Sequence, residues 1–163
     1  MLSRRNMILS TAALAAGASA VTGAEDRPAL RQSATVPSDV PPLPPGEPGV
    51  HYTPVTVPNG ATLPYRLVDG VKVFHLIAEE IADHEFAPGL RCTVWGYNGR
   101  TPGPVIEAVE GDRVRFFVTN KLPEATSVHW HGVLLPSGMD GVSAISQPPI
   151  QPGDTFKYEF TLR

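Results

Sequence analysis

The sequence predicts an all-β fold, an antiparallel β-sandwich, on three observations. From about residue 66 onward, six short runs rich in β-branched and aromatic residues follow one another, separated by turn residues. In two of them apolar residues alternate with polar ones, the period of a half-buried strand. The 18 prolines and 15 glycines are too many for a helical bundle.

The first run is Val71-Lys-Val-Phe-His-Leu-Ile77. The second, Arg91-Cys-Thr-Val-Trp-Gly-Tyr97, is closed by the turn pair Asn98-Gly99. Pro104-Val-Ile-Glu-Ala-Val109 is the third, and a Glu110-Gly111-Asp112 turn leads into the fourth, Arg113–Thr119, where Val114, Phe116 and Val118 share a face. Thr126–Val133 is the fifth. Pro152-Gly153-Asp154 turns into the sixth, Thr155–Leu162, with Phe156, Tyr158 and Phe160 on one side. Ala78–His84 is the one stretch that also reads as a helical turn. No internal repeat is visible.

Residues 1–20 read as an export signal: Arg4-Arg5, an apolar run, and Ala-Ser-Ala at 18–20. Met7–Ala20 is too short to span a bilayer as a stable helix, so no membrane span is expected after cleavage. Ser3-Arg4-Arg5 resembles a twin-arginine signal, the route for proteins exported already folded; an ordinary secretory signal with two chance arginines is the alternative. Either reading carries the protein out of a bacterial cytoplasm, to the periplasm or beyond. Residues 21–65 form a Pro-rich lead-in, with eight prolines between Pro37 and Pro58. Such a stretch favours extended polyproline geometry, draped over the domain or serving as a spacer. Residues 66–163 are then the folded unit.

Of 13 basic side chains, Arg4 and Arg5 leave with the signal, so 11 face 16 acidic ones, a balance of −5. That excess argues against nucleic acid or an anionic membrane as partner. A single cysteine excludes a disulfide framework and cysteine-based metal clusters, which leaves five histidines as the main supply of metal or proton chemistry.

Two of them stand in His129-Trp130-His131-Gly132. Residues two apart on a strand point to the same side, with backbones roughly 6–7 Å apart. Two such imidazoles suit copper, zinc, iron or nickel, and can chelate one metal or each hold a different one. Alone, the pair is weak evidence.

Its surroundings make it specific. Asn98-Gly-Arg-Thr-Pro-Gly-Pro104, Glu110-Gly-Asp112, Asn120-Lys-Leu122, His129-Trp-His-Gly132, Met139-Asp-Gly141 and Gln147-Pro-Pro-Ile-Gln-Pro-Gly153 occur in the order seen in one family. Over about residues 70–163 the chain resembles the N-terminal cupredoxin domain of the laccase-like multicopper oxidases. The resemblance implies a Greek-key, cupredoxin-like β-sandwich forming one wall of a three-copper cluster. It implies that His129 binds the type 2 copper and His131 a type 3 copper. Trp130 is expected to pack on the opposite face, and Gly132 to let the chain approach the metal or bend away. Asp140 aligns with a catalytic acid that the family places beside the cluster to support proton delivery; plain turn chemistry is its bland alternative.

His75 reads as a hydrogen-bonded structural histidine in an apolar strand, His51 and His84 as solvated turn or linker residues, and Cys92 as a part-buried thiol. A blue-copper centre needs a cysteine with two histidines, and the family's C-x-H spacing is absent after Cys92. The expected function is therefore copper binding within an oxidase that couples one-electron oxidation of an unidentified reducing substrate to reduction of O2 to water. Alternatives are a non-catalytic copper-binding module and a relative of copper nitrite reductase, which the missing type 1 ligands disfavour. Methionine occurs only at Met1, Met7 and Met139, so no methionine-rich copper-handling segment is present. In the family the last strand runs into a second H-x-H motif, so the sandwich is expected to be incomplete at Arg163. Further cupredoxin domains, downstream or in another subunit, would supply the remaining ligands, and the chain alone is expected to be inactive.

Overall fold

The computed structural model describes residues 43–58 and 60–163. The expected export signal and about half of the Pro-rich lead-in lie outside the described residues. Five strands form one mixed sheet: β1 (Arg66–Val68), β2 (Val71–Ala87), β3 (Leu90–Tyr97), β4 (Arg113–Asn120) and β5 (Thr155–Thr161). The order is β1-β2-β4-β5, with β3 also paired to β2. Tight turns at Asp69-Gly70 and Pro88-Gly89 make antiparallel neighbours of β1, β2 and β3. β4 returns parallel to β2, in the register Lys72↔Val114 to Ala78↔Asn120, and β5 closes antiparallel on β4. The Ile77 carbonyl accepts from Asn98 N–H and the next carbonyl, Ala78, from Lys121 N–H. Consecutive strand carbonyls point to opposite edges, so β3 and β4 flank opposite sides of β2.

The alternation read from sequence is what buries one face. Phe74, Leu76, Val114, Phe116, Val118, Tyr158 and Phe160 form its centre, with Leu63 and Ile150 completing it. Loop residues, among them Val128, Trp130, Leu135 and Met139, pack over this face in place of a second regular sheet among the described residues.

Three local expectations are corrected. Ala78–His84 is no helical turn but the continuation of β2, bulged between Ile81 and His84 where Asp83 takes φ 56°, because pairing with β3 overrides local preference. The expected strands Pro104–Val109 and Thr126–Val133 shrink to isolated bridges, Thr62↔Val105 and Thr126↔Ile150. At the second, Pro148 and Pro149 beside Ile150 have no N–H to extend a ladder. The sheet is also not wholly antiparallel, given the β2–β4 pair.

The described part of the lead-in lies against the domain. Gly46 N–H donates to Asp112 Oδ1 at 2.7 Å, and Leu63 and Ala61 bond to either side of Val105. Asp112 Oδ2 also receives the Val109 N–H at 2.9 Å and Lys72 Nζ at 2.7 Å. Lys72 stands on the apolar face of β2, with its ammonium over the rings of Tyr65 and Tyr52. Asn120, fully buried, gives Nδ2 to the carbonyls of Glu124 and Ile150 and takes the Leu122 N–H, which fixes the loop leading to the histidines.

Candidate metal centre

The chain from Thr126 to His131 crosses the buried face with alternating side chains. Val128 and Trp130 turn to the core, while His129 and His131 are exposed. Trp130 packs on Phe116, Tyr158 and Phe160 at 4.3, 5.5 and 5.6 Å between ring centroids, as expected of a packing residue. Tyr158 is buried, which pushes its phenol pKa up, and its oxygen accepts the Val128 N–H at 3.2 Å. The backbone is thus held on both sides of His129.

The two imidazoles stand side by side without a regular strand beneath them. Their centroids are 5.6 Å apart and their planes cross at 85°. His129 Nδ1 lies 2.7 Å from the main-chain carbonyl of Asp140 and 3.4 Å from its carboxylate Oδ1. A carbonyl oxygen can only accept, so Nδ1 carries the proton and the Nε2 lone pair of the neutral ring is free. Metal-ligating histidines are oriented in this way, the far nitrogen donating to a carbonyl or carboxylate.

Asp140 reaches His129 from a single 3-10 turn, Ser137–Met139, closed by the Asp140 N–H on the Ser137 carbonyl. Met139 packs against the core, and its sulfur accepts the Glu159 N–H at 3.4 Å, which docks the turn on the edge of β5. Gly141 follows at φ +76°, pressed against the carbonyl of Val128. Gly132 takes φ +79°, a backbone conformation that favours glycine, with no protein atom near its Cβ position.

The structure therefore brings His129, His131 and Asp140 together. Two exposed, adjacent imidazoles, one with its far nitrogen committed, fit a late first-row metal such as copper. Among the described residues no group of three or more His, Cys, Asp or Glu forms a metal cage. His75 lies on the outer sheet face with Nε2 2.8 Å from Thr119 Oγ1, the hydrogen-bonded role expected. His51 Nδ1 accepts the Glu47 N–H. His84 sits in β2, not in a turn, with its ring edge-on to Phe86. Cys92 is exposed, against the part-buried expectation, because β3 projects with β2 as a ribbon. Sequence reasoning missed the Tyr158 hydroxyl, the Asp140 carbonyl and Gly141. Only the Asp-Gly pair, eleven residues beyond His129, hinted at a second segment nearby.

Residues 80–163, just over half of the chain, match the multicopper oxidase family. The chain belongs to the multicopper oxidase family. Members of this family bind copper. The chain is 45% identical over 75 residues to copper resistance protein A of Pseudomonas syringae pv. tomato, covering 46% of this chain and 12% of that protein. It is 47% identical over 76 residues to laccase-1 of Cryptococcus neoformans var. grubii, covering 45% of this chain and 12% of the laccase. Among solved structures, the multicopper oxidase from Campylobacter jejuni, described as a metallo-oxidase, superposes with a TM-score of 0.56 at 34% identity, over 65% of this chain and 22% of that one. The all-β, cupredoxin-like class expected from sequence is borne out for this multicopper oxidase chain. The matched segments span about an eighth of the two curated relatives. No helix among the described residues is long and apolar enough to cross a membrane.

Proposed function

We propose that this chain contributes two histidine ligands to the three-copper cluster of an exported multicopper oxidase, with His129 at the type 2 and His131 at a type 3 position. The observation that carries this reading is the adjacent imidazole pair, in which the Asp140 carbonyl commits Nδ1 of His129 and leaves its Nε2 free. Copper held there would supply the redox chemistry by which O2 is reduced to water, with electrons that enter from the reducing substrate elsewhere in the protein. The protein orients the ligands and handles protons. The Asp140 carboxylate, 3.4 Å from the His129 ring, is placed to relay protons through water towards the cluster. The remaining ligands and the site of electron entry belong to further cupredoxin domains, in the same protein or another subunit. The Arg4-Arg5 signal supports twin-arginine export, to the periplasm or beyond.

The test is Cu(II) titration of the metal-free chain against a chromophoric chelator. Wild type should bind copper with nitrogen hyperfine structure in its electron paramagnetic resonance spectrum, and His129→Ala and His131→Ala should each weaken binding at least tenfold. Binding no tighter than that of the His129→Ala/His131→Ala double variant would sink the proposal.

A further inference from the structure

We propose that Gly141 is a positioning residue for the metal centre: by letting the turn at 139–141 press against the histidine segment, it determines which nitrogen of His129 is left for a metal. The inference rests on the reading of His129 as a ligand.

The contact leaves no room for a side chain. A Cβ on Gly141 would stand 1.6 Å from the Val128 carbonyl oxygen, 2.5 Å from its carbon and 3.0 Å from the His129 nitrogen. All three are backbone atoms, so no rotamer change relieves the clash. The histidine side of the contact is also the harder one to move. Val128 is hydrogen-bonded to the buried Tyr158, and Trp130 is wedged among Phe116, Tyr158 and Phe160. The turn must give instead. Opening the contact from 1.6 Å to the 3.4 Å at which ordinary packing begins is a shift of about 1.8 Å. Asp140, the neighbouring residue, moves with it, and its carbonyl leaves hydrogen-bond reach of His129 Nδ1, now 2.7 Å away.

The consequence is chemical as well as structural. A neutral imidazole has one N–H, and while the carbonyl holds it on Nδ1, Nε2 presents a lone pair. Without the carbonyl the proton redistributes to Nε2, which then cannot ligate. The Asp140 side chain is not needed for this, because the short contact is to the main chain and Oδ1 stands further off at 3.4 Å. Gly141 and Asp140 therefore separate by experiment: Gly141 governs ring orientation, and the Asp140 carboxylate does not.

The experiment is long-range proton–nitrogen correlation NMR on the 15N-labelled, metal-free chain at pH about 8.5, where an ordinary imidazole is neutral. Gly153→Ala serves as the control for backbone strain, since Gly153 has φ +87° with nothing near its Cβ position. Wild type, Asp140→Ala and Gly153→Ala are expected to carry the His129 proton on Nδ1. Gly141→Ala should shift it largely to Nε2 and weaken Cu(II) binding by about 10- to 100-fold. A wild-type proton on Nε2, or a Gly141→Ala variant that keeps Nδ1–H, overturns the inference. Should Gly141→Ala fail to fold, Asp140→Ala still decides, because loss of its Nδ1–H signature would put the carboxylate in control and overturn the inference. The expected tautomers without copper binding would confirm the clamp and overturn only the reading of His129 as a ligand.

Discussion

Replacing Lys72 by methionine should destabilise the chain by about 3–5 kcal/mol, the usual result of removing one partner from a buried ion pair. The side chains of Lys72 and Asp112 are 0% and 1% exposed and meet at 2.7 Å, so solvent neither screens the pair nor replaces the lost ammonium. Methionine nearly matches the lysine stem in volume, which keeps any cavity small and assigns the loss to charge. Asp112 would keep its hydrogen bonds from Gly46 and Val109, which places the loss nearer 3 than 5 kcal/mol. Against a total of about 5–15 kcal/mol for a domain, that is a large share. Urea unfolding followed by tryptophan fluorescence measures it, with Trp130 reporting from the core. Adding Asp112→Asn to Lys72→Met removes the stranded charge and should recover at least about 1 kcal/mol, though the amide cannot accept both N–H donors as the carboxylate does. A Lys72→Met loss below about 1 kcal/mol, or a double variant less stable than the single, would refute the argument that an uncompensated buried carboxylate dominates.

Two further outcomes are expected. In the full-length oxidase proposed above, Asp140→Ala should retain its copper content while oxygen consumption slows about 100-fold, within the range for loss of a proton-transfer group; unchanged turnover would exclude the carboxylate from proton delivery. Glu159 is held below the usual carboxylate range, first by its hydrogen bond from Arg115 and then by the charges of Arg115 and Arg113, against the opposing effect of burial. Its folded pKa lies below its unfolded value of about 4.3, so its contribution is complete above that pH and is lost as pH falls through the folded value. Glu159→Gln should therefore show a shallower loss of stability below pH of about 4.3 in acid titrations monitored by circular dichroism, and an unaltered acid limb would count against the pairing.

The period-2 alternation of Val114, Phe116 and Val118 and of Phe156, Tyr158 and Phe160 was enough to predict the buried face, because side-chain direction in a strand is a local property. The same alternation places Lys72 in line with Phe74 and Leu76, an anomaly visible in sequence whose meaning is not. Its partner Asp112 lies 40 residues away, and the Gly46 N–H that shares that carboxylate lies 66 residues from it. The His-Trp-His motif likewise pointed to the adjacent imidazole pair, and the Met-Asp-Gly motif to the Asp140 that stands beside it. Strand faces, turn chemistry and the side-chain types at the candidate site are thus legible along the chain, because all are properties of adjacent residues. Only the tertiary structure decided that β4 runs parallel to β2, that Thr126–His131 leaves the ladder beside Pro148 and Pro149, and that Asp140 meets His129 through its carbonyl. Each of these depends on which distant backbone groups pack together, and at Gly141 on a contact too close for any Cβ.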